Sequence, residues 1–271
     1  MANEAILSSY WRNKTVLITG ASSGLGMAVV RALAPYHVTF GLLSRRKEPM
    51  VALAESLKHG NSKFWIKTCD VRDREDVNEA VQEFKDYAGK LDVVWVNAGI
   101  SARSSLRKWN WERIDACLQT NLIGALNTIK ASLDVMLPYK LGTIVAIGSV
   151  ASMRGMPGHS VYSLTKISLQ YMMEAMAVEA PEIQFTMIHP GFVETPLTGN
   201  SPSRNRPFLM MPSRAAKKMI SAVANKRSKF IFPWQMNILY HVMRIIPSSL
   251  FVKVGTRYLE RSRWAPKNYK T

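Results

Sequence analysis

Apolar residues along this chain fall into two alternating patterns. Strand-length apolar runs occupy residues 14–19, 38–43, 63–68, 92–96, 142–148, 184–189 and 229–232. Between them, apolar positions recur every three or four residues over 24–34, 48–58, 73–87, 111–137, 162–180 and 213–225, the period of a helix with one buried face. Strands alternating with helices predict an α/β fold, a single doubly wound parallel sheet with right-handed crossovers. No repeat, low-complexity stretch or linker divides residues 1–233, and 234–271 reads as a helical, basic extension rather than an independent domain. The 190–212 segment holds Pro190, Pro196, Pro202, Pro207 and Pro212 and no clear element, and a loop of that length is usually functional or disordered.

Two segments carry chemistry. The first apolar run ends in Thr19-Gly20-Ala21-Ser22-Ser23-Gly24-Leu25-Gly26 and leads into a helix. Glycines in a strand-to-helix turn let backbone N–H groups approach a pyrophosphate at the positive end of the helix. The spacing is Gly-x-x-x-Gly-x-Gly, not Gly-x-Gly-x-x-Gly, and a glycine-rich turn without a ligand is the plainer alternative. The second segment holds Tyr162 and Lys166, four apart on one face of a helix, with Ser149 at the carboxyl end of the 142–148 run. A free phenol titrates near ~10, and a neighbouring ammonium favours its ionised form, so Lys166 is expected to bring Tyr162 toward working pH. Open α/β sheets bind ligands at the carboxyl ends of their strands.

Together these segments resemble the short-chain dehydrogenase/reductase family over roughly residues 12–233. The resemblance rests on Thr19-Gly20-x-x-x-Gly24-x-Gly26, Asp70, Asn97-Ala98-Gly99, Asn121, Ser149, Tyr162-x-x-x-Lys166 and Pro190-Gly191. It implies a Rossmann-type domain and reversible hydride transfer between a nicotinamide cofactor and a carbonyl or alcohol. It further implies that Gly20, Ser22, Ser23, Gly24, Leu25, Gly26, Asn97, Ala98, Gly99, Pro190, Gly191, Val193 and Thr195 line the cofactor, with Asp70 and Val71 at the adenine. Lys166 would bind the ribose hydroxyls. Asn121 would be the fourth catalytic member, holding a water that relays protons to Lys166. Family members also suggest a homodimer or homotetramer through the 111–137 and 162–180 helices. Two plainer roles stay open: Asn121 as a satisfied buried amide and Asp70 as a helix cap.

Cofactor choice is read from the end of the second strand. An NAD enzyme usually places a carboxylate there for the ribose 2′-hydroxyl. This chain has Ser44, followed by Arg45 and Arg46, and no acid before Glu48. Guanidinium groups match phosphate geometry and stay charged, so NADP (NADPH) is expected.

Composition narrows the picture further. With 271 residues, 47% hydrophobic, the chain can bury one substantial core. Cys69 and Cys117 have no metal-ligand spacing, so no metal site is expected, and the lack of a disulfide framework suggests a reducing compartment. Residues 1–9 lack a basic stretch followed by an apolar one, so a cytoplasmic location is expected. The net charge of +17 is uneven: residues 226–271 hold ten Lys or Arg and one acid, Glu260. The apolar stretch between Pro233 and Pro247 is 13 residues, about 20 Å of helix, too short to cross a bilayer. It reads equally as a helix on an anionic membrane surface, peripheral on the inner face, and as an element packed on the domain or a partner. A basic patch alone does not point to nucleic acid. The apolar Pro207-Phe208-Leu209-Met210-Met211-Pro212 stretch would serve as a lid for an apolar substrate or as core packing. The expected activity is an NADP(H)-dependent carbonyl–alcohol oxidoreductase. The rival is a catalytically silent nucleotide sensor or membrane-surface scaffold on the same fold.

Overall fold

Side-chain alternation along each strand explains the architecture. In β1 (Thr15–Thr19), Val16 and Ile18 face one layer and Leu17 the other; in β4 (Val93–Val96), Val93 and Trp95 face the first layer and Val94 and Val96 the second. All of these residues are buried, because helices cover both faces of the sheet. The other strands are β2 (Thr39–Ser44), β3 (Lys63–Thr68), β5 (Thr143–Ile147), β6 (Gln184–Pro190) and β7 (Lys229–Phe232). In this computed structural model, which describes residues 2–102, 104–106, 109–199 and 206–261, they form one parallel sheet. The order is β3-β2-β1-β4-β5-β6-β7. Strand order reverses between β1 and β4, the place where a doubly wound sheet opens a crevice at its carboxyl ends.

The first layer contains α1 (Ala2–Trp11), α2 (Gly24–Leu33), α3 (Glu48–Ser56) and α8 (Pro212–Ala224); the second contains α4 (Arg74–Ala88), α6 (Gly124–Met136) and α7 (Ser160–Glu179). Helix α1 has no counterpart in the sequence expectations. Trp11 is fully buried, its ring 6.4 Å from that of Trp95, and its indole N–H donates to the Ile220 carbonyl at 3.2 Å.

Two helical expectations gain detail. The 111–137 helix runs as α5 (Trp111–Leu118), a π turn at Gln119–Ile123 and α6, and Asn121 within the π turn bonds the backbone of Ile100 through its side chain. The C-terminal extension forms α9 (Trp234–Ile245) and α10 (Ser248–Arg261), bent by 118°. No single described helix is long and apolar enough to cross a membrane. The packed and the surface readings of α9 describe two faces of one helix. Met236 and Tyr240 are buried against Val150, Met153 and Ile231, whereas Trp234, Ile238, Val242 and Ile245 are exposed.

Candidate active site

Construction of the site begins at the glycine turn. Ser23 is extended and its side chain caps nothing, so the first N–H groups of α2 lack a side-chain acceptor. Gly24 takes φ +56°, a conformation that disfavours a side chain. A Cβ on Gly26 would stand 2.5 Å from the Gly20 carbonyl oxygen and 2.7 Å from Asn97 Nδ2, so only glycine fits. Asn97 fastens this turn to β4: its Nδ2 donates to the carbonyls of Thr19 at 2.9 Å and Gly20 at 3.3 Å. Thr19 Oγ1 accepts from the N–H of Asn97 and of Ala98. Beyond α2, Thr195 lies against Gly24, and the Val193–Met210 bridge holds that loop in place. Leu25, the next residue of α2, packs on the first-layer core.

Ser22, Ser44 and Arg46 converge. Ser44 Oγ donates to Ser22 Oγ at 2.8 Å, and Arg46 Nη2 reaches the same oxygen at 3.2 Å. Arg45 and Arg46 are both exposed, and among the described residues neither is ion-paired. Asp70 is not the cap of the following helix. Its carboxylate accepts a fork from Arg72, with contacts of 2.6–3.0 Å, and that bond holds it below the usual carboxylate range. The cap of α4 is Asp73, which accepts from the N–H of Glu75 and Asp76, because Asp70 lies three residues too early. Val71 is buried, and its carbonyl accepts from Asn127 at 3.0 Å.

Across the crevice, Ser149 follows β5 and caps a short 3-10 turn, Val150–Met153. Its hydroxyl is hydrogen-bonded to Tyr162, while Lys166 Nζ lies 5.8 Å from the Tyr162 ring centroid and donates to the Ile147 carbonyl at 2.8 Å. The expected electrostatics are reversed. Burial pushes the Tyr162 phenol up to about 12, against a lowering bond from Ser149, and burial pulls Lys166 down to about 8. The desolvation of both groups outweighs their mutual influence, which leaves Tyr162 a proton donor at neutral pH. Tyr162 packs against the buried cluster of Ala102, Ile114, Cys117 and Val161.

Asn121 is fully engaged. Oδ1 accepts from Ile100 N–H at 2.8 Å, and Nδ2 donates to the Ile100 carbonyl at 2.8 Å and reaches Thr165 Oγ1 at 3.3 Å. The side chain therefore clips the β4–α5 loop to α7 beside Lys166. Gly99 closes this corner, since a Cβ there would stand 3.3 Å from Asn121 Oδ1 and 3.6 Å from Lys166 Nζ.

A polar network beneath Ser149 went unread in the sequence. His189, fully buried in β6, places Nδ1 3.1 Å from both the Ser149 carbonyl oxygen and Ser152 Oγ. A carbonyl only accepts, so Nδ1 carries the proton and Nε2 is a bare acceptor with no partner among the described residues. Ser152 reaches Tyr240 Oη at 3.4 Å; that hydroxyl donates to Gln170 at 2.7 Å and accepts from Arg244 at 3.1 Å. A histidine inside an otherwise apolar run, next to Pro190-Gly191, was the available signal. Pro190 ends β6 opposite Phe232, and the Gly191 N–H donates to the Phe232 carbonyl at 2.7 Å. The described part of the 190–212 loop buries Met210 and leaves Phe208, Leu209 and Met211 exposed; Pro202 lies outside the described residues, as do Arg263, Lys267 and Lys270.

The crevice at the strand-order reversal thus carries a glycine turn on one side and half-buried Ser149 and Tyr162 with buried Lys166 on the other. Residues 14–206 match the short chain dehydrogenase family model. An uncharacterised oxidoreductase of Myxococcus xanthus is 32% identical over 90% of this chain and 97% of its own length. A ketoacyl reductase of a Nostoc strain is 30% identical over 80% of this chain and 78% of its own. The solved alcohol dehydrogenase of the archaeon Thermococcus sibiricus, complexed with 5-hydroxy-NADP, superposes with a TM-score of 0.74 at 25% identity. It covers 82% of this chain and 96% of that one. The chain belongs to the short-chain dehydrogenase family of oxidoreductases, whose fold takes a nicotinamide cofactor.

Proposed function

We propose that this chain interconverts a carbonyl and an alcohol with NADP(H) on an apolar substrate. The observation that carries this reading is the Tyr162 hydroxyl, kept protonated by burial and bonded to Ser149, with Lys166 below the ring. The uncapped N-terminus of α2 and the exposed Arg45 and Arg46 beside Ser22 fit a phosphorylated dinucleotide. Ser22, Ser44, Arg45 and Arg46 would hold its 2′-phosphate, Thr195 and the glycine turn its pyrophosphate, and Lys166 its ribose. When bound, the nicotinamide supplies or accepts the hydride.

In the reductive direction, Ser149 and Tyr162 donate to the substrate carbonyl oxygen. Tyr162 then gives its proton to the oxygen as negative charge develops there. Donors aimed at that oxygen act mainly in the transition state. Lys166, charged below about pH 8, offsets the phenolate left behind. Asn121 acts by fixing the corner in which Lys166 lies. The apolar cluster of Ala102, Ile114, Cys117 and Val161 beside Tyr162 favours an apolar substrate. Leu164, Tyr171 and Val178, exposed at seven-residue intervals on α7, support pairing of two copies through that helix. Helices α9 and α10 attach the chain peripherally to an anionic membrane.

An NADPH-oxidation screen against apolar ketones and aldehydes tests the reading. Tyr162→Phe should lower turnover at least ~10²-fold while NADPH binding persists. Near wild-type turnover by that variant on a verified substrate would overturn the assignment.

A further inference from the structure

Strand β7 is one edge of the sheet, and along it runs an open groove of about 810 Å³ between α8 and α9. Its charged lining is cationic, with Arg214 and Lys218 from α8 and Arg227 and Lys229 from β7 and the turn before it, beside the neutral Gln235 and Asn237. No acidic residue occurs between Glu194 and Glu260, whereas Arg204, Arg206, Arg214, Lys217, Lys218, Lys226, Arg227, Lys229, Arg244, Lys253 and Arg257 all do. Among the described residues, none of the groove cations Arg214, Lys218, Arg227 and Lys229 is ion-paired. Unpaired like charges held together are unfavourable until an anion joins them.

The groove opens beside an apolar stripe. Trp234, Ile238, Val242 and Ile245 recur at intervals of four, four and three residues, on one face of α9, and are 67%, 55%, 45% and 81% exposed. Trp234 belongs to both features, since it also lines the groove. An occupant must therefore offer negative charge next to hydrocarbon. A second copy of this chain fails the first requirement, because a two-fold contact would set the same cations against themselves. Nucleic acid meets the charge and leaves four apolar side chains in water.

We infer that the β7-edge groove receives the phosphate headgroup of an anionic phospholipid while the α9 stripe enters the outer acyl region of the same leaflet. This rests on the peripheral membrane reading above and gives it a place and a chemistry. The 118° bend lets α10 leave the stripe with Lys253 and Arg257 exposed as further cations.

The test is co-sedimentation of the full chain with phosphatidylcholine vesicles, with and without phosphatidylglycerol. Wild type should bind the anionic vesicles and release them as salt rises. Arg214→Ala with Lys218→Ala and Arg227→Ala should weaken partitioning about a hundredfold. The charge-matched Lys58→Ala, Lys63→Ala and Lys85→Ala triple, beside the opposite edge strand, should weaken it less than about tenfold, as screened distant charges do. Circular dichroism and NADPH binding confirm that both triples are folded. Equal losses in the two triples would overturn the groove while leaving membrane attachment standing. Failure of wild type to bind anionic vesicles at low salt would overturn both. A wild-type dimer that Ile238→Ser with Val242→Ser converts to a monomer would give the stripe to a second copy, and tighter binding to duplex DNA than to vesicles would give the groove to nucleic acid.

Discussion

His189 makes the chain's stability depend on pH in a defined window. β6 is buried from Phe185 to Pro190, and burial pulls the imidazole from 6.5 down to about 4, helped by the nearby charges of Lys229, Lys166 and Arg244 and opposed by the bond to the Ser149 carbonyl. The unfolded chain takes a proton on this ring near 6.5 and the folded chain only near 4. Stability is therefore whole above about pH 6.5 and is lost as pH falls toward 4. At ~1.36 kcal/mol per pH unit over about 2.5 units, the loss approaches ~3 kcal/mol, a large share of a typical domain's stability. His189→Asn keeps a donor near the position of Nδ1 and removes the titrating ring. At pH 8 the variant should be less stable by about 0.5–3 kcal/mol, from lost packing against Tyr240. Urea unfolding followed by tryptophan fluorescence, repeated between pH 8 and 4, measures the difference. The carboxylates of Asp70 and Asp92 also sit below their ordinary range, and their acid losses are common to both proteins. Stability curves that stay parallel across the window would refute the reasoning.

Other outcomes follow from the same geometry. Arg45→Ala with Arg46→Ala should erase most of a preference for NADPH over NADH, since charge-assisted contacts contribute about 1.5–3 kcal/mol each; equal dissociation constants in the unmodified protein would refute the cofactor assignment. Because burial lowers Lys166 to about 8, kcat/KM for carbonyl reduction should fall as pH rises through about 8, and a profile flat to pH 10 would count against its charge taking part. Tyr240→Phe removes a buried hydroxyl that joins Gln170 and Arg244, and should cost about 1–3 kcal/mol by thermal or urea unfolding. A chain ending at Pro233 strips Val150, Met153 and Ile231 of their cover and should lose its cooperative melt.

Strand and helix positions were legible because each element carries its own periodicity. The glycine turn and the Tyr162–Lys166 pair were legible because spacing is local. What depended on distant partners was not. Helix α1 is short, and its burial comes from Ile220 and Trp95. The π turn holds Asn121, whose side chain bonds Ile100, 21 residues away. The directions of the Tyr162 and Lys166 shifts depend on how deeply both are enclosed, which neighbours in sequence do not reveal. Helix α9 seemed to demand a choice between membrane and core because its many apolar residues fit either; only the fold separates the buried Met236 and Tyr240 from the exposed stripe.

The bonds from Arg154 to the Met243 and Ile246 carbonyls tie the segment just after Ser149 to chain made 89 and 92 residues later. Synthesis adds about 5–20 residues each second, so that segment waits some ~5–20 s for its partner. Trp11 waits longer still, for a carbonyl 209 residues downstream. The nascent chain therefore carries a first layer without its Trp11–Ile220 bond until α8 emerges, and a segment after Ser149 without its Arg154 anchor until α9 is complete.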